Sequence, residues 1–221
     1  MSQNTIMHHA PAFSDLSAAR TVASLFGVLA GIGGITHGVG EVLQGNVAPD
    51  GILIDSWTQG PIATNMGGEP GMTIIPNMLA TGILNIIMSA AVIIWAAAFV
   101  ERKHGGRILI LLSLAMLLLG GGFGPPLIGI LAGVAGTRLG APRSDRRWPR
   151  ILAKLWPVTF IVAASAGTFL VIGSLILVFI FGVDNDELFL NSFYLTVLSL
   201  LLTVLLAPAY DAADTDRVAI A

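Results

Sequence analysis

The sequence contains no cysteine among its 221 residues. This absence excludes disulfide bonds, thiolate chemistry, iron–sulfur clusters and covalently attached c-type haem. Charged residues are also scarce, at 11% of the chain, against about 25% in an ordinary soluble domain. Apolar residues make up 55% of the chain, the mean hydropathy is +0.84, and the apolar residues occur in long runs. The composition therefore predicts an integral membrane protein.

Several chemistries are excluded because the residues or motifs that they need are missing. Both lysines, Lys103 and Lys154, fall at predicted membrane ends, so no lysine is available for a retinal Schiff base inside a helix. A bis-histidine haem b site in one chain needs two intramembrane histidines, and only His37 qualifies. The chain has no G-x-x-x-x-G-K-[ST] phosphate loop, no H-E-x-x-H zinc motif and no G-x-S-x-G nucleophile elbow. We therefore expect no cofactor and no metal.

Residues 27–44 are apolar and glycine-rich, yet they include a histidine and a glutamate. Small residues near a spacing of four share one helix face, which is typical of packing between membrane helices; here they are Gly27, Gly31, Gly34 and Gly38. His37 and Glu41 form an i,i+4 pair beside this face. A charge inside a bilayer costs about 2.5–3.5 kcal/mol and indicates a functional site by default. The alternative is that Glu41 is solvated at the headgroup level and that His37 merely bonds to it.

A second predicted helix, from Thr73 to Val100, has a polar residue at every fourth position: Asn77, Thr81, Asn85 and Ser89. In lipid, such side chains usually form hydrogen bonds to a neighbouring helix, which is the structural interpretation. The functional interpretation is a ligand or proton pocket in the outer leaflet, because the second helix begins at the depth where the first one ends. Its members would be His37, Glu41, Asn77, Thr81 and Asn85.

The connection between these two helices, residues 45–71, has no basic residue and is punctuated by Gly, Pro and Asn, which predicts a long loop. Its acids, Asp50, Asp55 and Glu69, match no calcium-loop spacing, and we expect them to be solvated. They would complete a zinc site with His37 and Glu41 only if the loop folded back over the helix ends.

Residues 120–126, GGGFGPP, interrupt an apolar stretch that runs from residue 108 to residue 137. Because proline ends or kinks a helix, we expect a hairpin of two short segments, the third and fourth, joined by a glycine turn. Each arm has only about 15–18 residues, at or below the usual minimum for a span. The alternative is a re-entrant pair that reaches only partway across the membrane.

The rest of the chain predicts two further spans and a basic loop. Six basic residues and one acid lie between Arg138 and Lys154, which is typical of a cytoplasmic loop that attracts anionic lipid headgroups; we expect no nucleic acid to bind there. Helices five and six are predicted over residues 151–182 and 188–209. The expected organisation is a polar tail (1–15), one helical transmembrane domain (16–209) and an acidic tail (210–221).

The fold class that follows is an all-α polytopic bundle of six transmembrane segments with both termini cytoplasmic. All eleven Lys and Arg residues then lie on the inner side, whereas the only charged residues of the outer loops are acids. This sorting follows the positive-inside rule. Four crossings with a re-entrant pair would give the same sidedness. The cysteine-free composition and the absence of a targeting sequence suit a bacterial inner (plasma) membrane.

No motif specifies a reaction, so the sequence favours a non-enzymatic membrane component: a scaffold, a sensor or a subunit of a larger complex. Its expected partners are the lipid bilayer and other membrane proteins or further copies of the chain. The alternative is a small transporter or channel that handles protons or cations through His37 and Glu41. The second alternative is a membrane-embedded enzyme that uses the same pair as acid and base.

Overall fold

The structure is a computed structural model that describes residues 17–66, 68–139 and 150–218. The helices in these ranges are α1 (Ala18–Gln44), α2 (Gly60–Asn65), α3 (Met78–Ile94), α4 (Gly105–Leu118), α5 (Gly124–Gly136), α6 (Arg150–Thr168), α7 (Ser174–Phe181) and α8 (Asp186–Val218). Two short strands, β1 (Leu53–Asp55) and β2 (Pro70–Met72), complete the fold. The predicted N-terminal tail and residues 140–149 of the basic loop lie outside the described residues.

Four helical stretches in the described part of the chain are long and apolar enough to cross a membrane: Ala18–Gln44, Met78–Phe99, Ile151–Phe181 and Asp186–Ala213. This confirms the predicted class, a mostly helical protein of the membrane type. The second and third stretches each contain a π-helical turn, over Trp95–Phe99 and Phe169–Gly173. The remaining apolar helices, α4 and α5, are shorter.

Helix α1 is the centre of the bundle. It packs along α3 and α5 and also contacts α6 and α8. Of its 27 residues, 15 are buried, so most of its surface faces protein and little of it would meet lipid. A helix in this position can hold polar side chains that a lipid-facing helix would expose to hydrocarbon.

The glycine face of α1 packs against α3 and its π-helical turn. Gly27 lies against Ala96, Gly31 against Ser89 and Ile93, Gly34 against Ser89, and Gly38 against Gly82 and Ile86. The approach is tightest between backbones at Gly38 and Gly82, where a methyl group added at Gly82 would lie 2.5 Å from the carbonyl oxygen of Gly38. The glycines of both helices therefore set the distance between the two axes.

Helices α4 and α5 form the antiparallel hairpin that the Gly/Pro segment predicts. Gly106 in the first turn of α4 lies against Gly136 at the end of α5. The helices have 14 and 13 residues, so each is about 20 Å long, shorter than a hydrocarbon core of about 30 Å. The tip of the hairpin is covered, because the N–H of Ile74 donates to the carbonyl of Leu118 at 3.1 Å and Thr73 pairs with Leu119.

The connection between α1 and α3 is folded, whereas the sequence predicted an irregular loop. Strands β1 and β2 pair antiparallel, and α2 lies between them in the chain. The segment is ordered by apolar burial, since Ile62 of α2 is fully buried against Val178 and Phe189 of α7 and α8. This hairpin is the one departure from an all-helical fold within the described residues.

Helix α8 continues beyond residue 209, where the sixth helix was predicted to end, as far as Val218. The extension brings the Asp211 carboxylate to the start of α1, where it accepts hydrogen bonds from the N–H groups of Ala18 (2.6 Å) and Ala19 (3.4 Å). Free N–H groups and the helix dipole make a helix N-terminus favourable for a carboxylate. Part of the predicted acidic tail thus joins the last helix to the first.

The close contact between α1 and α3 leads to a stability prediction. Gly82→Ala places a methyl group 2.5 Å from the Gly38 carbonyl oxygen and 2.7 Å from the Val42 nitrogen, and no side-chain rotation relieves either contact. We expect this overpacking to cost about 1–3 kcal/mol of unfolding free energy, measured by tryptophan fluorescence in detergent. The control is Gly51→Ala, which has no atom within 4 Å of the added methyl; equal stability of the two variants would contradict the close contact.

Candidate functional site

His37 and Glu41 lie one turn apart on α1, and both are enclosed by protein. Their exposed fractions are 6% and 0%. The alternative interpretation of the sequence, in which Glu41 is solvated at the end of the helix, is therefore wrong. A carboxylate in such a position must be stabilised by polar groups of the protein.

Ser56, the residue directly after β1, connects the His37 and Glu41 side chains. Its Oγ lies 2.9 Å from His37 Nδ1 and donates to Glu41 Oε1 at 3.0 Å. A hydroxyl can donate only one hydrogen bond. When Ser56 donates its hydrogen bond to an ionised Glu41, its oxygen must accept the hydrogen bond from the N–H of His37 Nδ1. The neutral imidazole then has its lone pair at Nε2. Glu41, Ser56 and His37 form one hydrogen-bonded chain between α1 and the folded connection.

Glu69 lies at the other side of the imidazole. Its Oε2 is 3.6 Å from His37 Nε2 and its side chain is 19% exposed. Its φ of +55° is uncommon for a residue other than glycine, and its carbonyl accepts the N–H of Ser56 at 3.2 Å. The backbone pairing of the β1–β2 hairpin thus sets Ser56 and Glu69 opposite each other. Glu69 differs from the expectation of a solvated loop acid because the connection folds back over α1.

The glycine turn between α4 and α5 closes the site from another direction. Gly120 and Gly122 have φ of +99° and +72°, in the left-handed region that favours glycine. A methyl group at Gly120 would overlap the Glu41 carboxylate, and one at Gly122 would overlap the His37 ring. The segment that predicted only a turn is therefore also a wall of the site.

Asn85 and Thr81, two of the three polar residues of the second predicted helix that were expected in the pocket, do lie beside it. Asn85 donates to the Gly34 carbonyl of α1 at 3.0 Å and accepts from Ser89 at 3.2 Å. The Thr81 hydroxyl is 2.9 Å from that of Thr73, and its methyl group lies beside Gly120, near Glu41. These side chains extend a polar surface from Glu41 further along α3.

Asn77, the third of them, lies elsewhere. It is the N-cap of α3, where its side chain accepts the N–H of Ala80 at 3.0 Å and donates to Asn46 at 2.5 Å. Its extended backbone turns the side chain back over the first turn of the helix, as an N-cap does. The predicted helix began at Thr73 and so included Asn77, whereas α3 begins at Met78. Asn77 therefore does not belong to the pocket with His37 and Glu41.

A cavity of about 450 Å³ opens beside His37 and Glu69. Its wall is mostly apolar and comes from α1, α5, α7, α8 and the π-helical turn before α7. Among the described residues that line it, the ionisable ones are His37, Glu69 and Asp186, and none is Lys or Arg. The described residues also contain no cluster of three His, Asp or Glu arranged to hold a metal ion.

Comparison with known proteins finds no matching family model, no matching curated protein and no matching solved structure. The function must therefore be inferred from the site itself.

Sequence reasoning missed Ser56 and the glycine wall, and it named Glu69 only as a further zinc ligand on the condition that the loop folded back. Ser56 lies 15 and 19 positions from its partners Glu41 and His37, in a segment with no periodic pattern. The only signal was indirect: a long acidic connection follows an intramembrane histidine and glutamate, and its acids would be further ligands if it folded back.

The bridging role of Ser56 predicts a loss of stability when its hydroxyl is removed. Ser56→Ala leaves a buried carboxylate oxygen and a buried ring N–H without their partner, and we expect a cost of about 1–3 kcal/mol. The control is Ser113→Ala, because Ser113 is equally buried but bonds only to the Leu109 carbonyl of its own helix. Thermal unfolding of both variants in detergent checks this; equal losses would argue against the bridge.

Proposed function

We propose that this protein is a small membrane transporter or channel that handles protons or cations through the pocket formed by His37 and Glu41. One observation supports this choice over the others. The buried Glu41 is joined by Ser56 to His37, whose far nitrogen faces Glu69 at the cavity. Ionisable groups inside a membrane bundle typically belong to ion pathways and proton relays.

The order of the groups suits proton exchange. A proton that reaches His37 Nε2 from the cavity can be balanced by transfer of the Nδ1 proton to Ser56, while Ser56 passes its own proton to Glu41. Each step moves along a hydrogen bond of 2.9 or 3.0 Å. Histidine suits this role because its ordinary pKa lies near neutral pH.

The polar groups stop partway through the bundle. Beyond Ser89, most buried side chains around α1 are apolar, among them Phe26, Val92 and Leu109, and the buried Ser113 hydroxyl bonds to a carbonyl of its own helix. In this conformation the site connects to the cavity on one side and is closed by the hydrophobic core on the other. A transporter would therefore need a second conformation that opens this core, as alternating-access carriers do.

The competing proposals have less support. A scaffold or complex subunit could use the glycine face of α1 to associate with a partner, but α3 of the same chain occupies that face. An enzyme that uses His37 and Glu41 as acid and base needs both groups to reach a substrate. Glu41 is fully buried and does not line the cavity, so only His37 is in a position to do so.

The proposed topology has six segments, counting α4 and α5 as two, with both termini in the cytoplasm of a bacterial cell. The sorting of acids and bases supports this orientation, and it would place the cavity and the β1–β2 hairpin towards the outside. The basic loop between Arg138 and Lys154 would then meet anionic lipids of the inner leaflet.

The absence of cysteine makes this orientation directly testable. Single-cysteine variants Asp50→Cys, Asp184→Cys and Lys103→Cys each place a thiol at an exposed position. In intact cells, we expect a membrane-impermeant maleimide to label positions 50 and 184, and to label position 103 only after permeabilisation. Labelling of position 103 from outside would overturn the proposed sidedness.

The transport proposal predicts proton flux that depends on Glu41. In liposomes with an internal pH-sensitive dye and an imposed potential, we expect the purified protein to move protons, and Glu41→Gln to lower the rate to that of protein-free liposomes. We expect Glu41→Gln not to lower the unfolding temperature, because burial of the charge is itself costly. Glu187→Gln, which changes an exposed acid in the first turn of α8, is the control. A folded wild type that conducts no more than empty liposomes, with any inorganic cation tested, would refute the proposal.

A further inference from the structure

The cavity beside His37 has two chemically unlike parts. One part is polar and acidic, with His37 and Glu69 on one side and Asp186 of α8 nearby. The other part is apolar and includes three phenylalanine rings, Phe123, Phe189 and Phe193. Its volume of about 450 Å³ is in the range of about 300–1,000 Å³ that small-molecule sites occupy.

The polar part is suited to positive charge. The Glu69 carboxylate faces His37 at the cavity, and Asp186 is a second acid in the lining. Buried Glu69 Oε2 accepts no hydrogen bond from the described residues, and no Lys or Arg lines the cavity there. Arg20, the one basic residue of α1, pairs with Glu101 at 2.8 Å, at the opposite end of the helix from Glu41.

The apolar part argues against a small inorganic cation as the occupant of the whole cavity. A metal ion needs several oxygen or nitrogen ligands, and a wall of Phe, Leu, Ile and Val supplies none. Aromatic faces do attract organic cations, because the ring quadrupole is negative above its plane. A molecule with one delocalised or shielded positive charge and apolar substituents satisfies both parts.

We infer that this cavity binds a lipophilic organic monocation, held with its charge towards Glu69 and its apolar groups against Phe123, Phe189 and Phe193. The inference rests on the proposed cation-handling function and names the class of cation. Glu69 is then the anchoring group, and His37 is the residue through which binding of the cation affects the proton on the Ser56–Glu41 chain.

The test uses two ions that have nearly the same shape and opposite charge. Equilibrium dialysis of the purified full-length protein in an uncharged detergent measures binding of tetraphenylphosphonium and of tetraphenylborate. We expect saturable binding of one phosphonium per chain and at least tenfold weaker binding of the borate. Equal binding of both ions would overturn the inference, since it would show a site for any lipophile, including a lipid chain.

Two variants locate the site. Glu69→Gln removes the charge at nearly constant shape and should weaken phosphonium binding at least tenfold, while the control Asp184→Asn, an exposed acid outside the cavity, should not. Phe193→Ala lies on α8, away from the folded connection, and should weaken binding several-fold even if Glu69→Gln proves unstable by thermal unfolding. Phosphonium affinity that is unchanged in Phe193→Ala and in folded Glu69→Gln would overturn the inference.

The result is separable from the proton-flux result. Phosphonium binding by a protein that moves neither protons, inorganic cations nor phosphonium across liposomes would retain the site and refute transport. Flux that depends on Glu41 in a protein that does not bind phosphonium would retain transport and refute the lipophilic cation as its ligand.

Discussion

The buried carboxylate of Glu41 is the constraint on which the arrangement around α1 depends. A charge inside a membrane bundle costs about 2.5–3.5 kcal/mol even on the lenient scale, so the protein must surround it with polar groups or water. Helix α1 carries Glu41 at the centre of the bundle, where protein encloses it completely. Ser56 donates to it, and Gly120 lets the backbone of the α4–α5 turn approach it closely.

Three separate parts of the chain meet at this carboxylate and its histidine neighbour. The β1–β2 hairpin brings Ser56 and Glu69 together through backbone pairing, the α4–α5 turn supplies glycines without side chains, and α3 supplies Asn85. Burial of Ile62 against α7 and α8 fixes the hairpin over α1, so apolar packing outside the site holds the polar groups inside it.

Much of the fold was predictable because it depends on the composition of short stretches of the chain. Runs of apolar residues indicated the four long helices, and the Gly/Pro segment indicated the short hairpin of α4 and α5. The site was only partly predictable. Helical spacing indicated His37, Glu41, Thr81 and Asn85. The prediction for Asn77 was wrong, because the sequence did not distinguish a capping residue from a residue inside the helix.

The sequence by itself determined that the protein is helical and membrane-like, that it has no thiol, and that a histidine and a carboxylate lie one turn apart on a glycine-rich helix. These are properties of composition and of residues a few positions apart. Only the tertiary structure decided that Ser56 joins His37 to Glu41, that Glu69 faces His37, and that Asp211 closes the start of α1. Those contacts depend on the path of an irregular connection and on packing between distant helices, because hydrogen bonds over such separations leave no period in the chain.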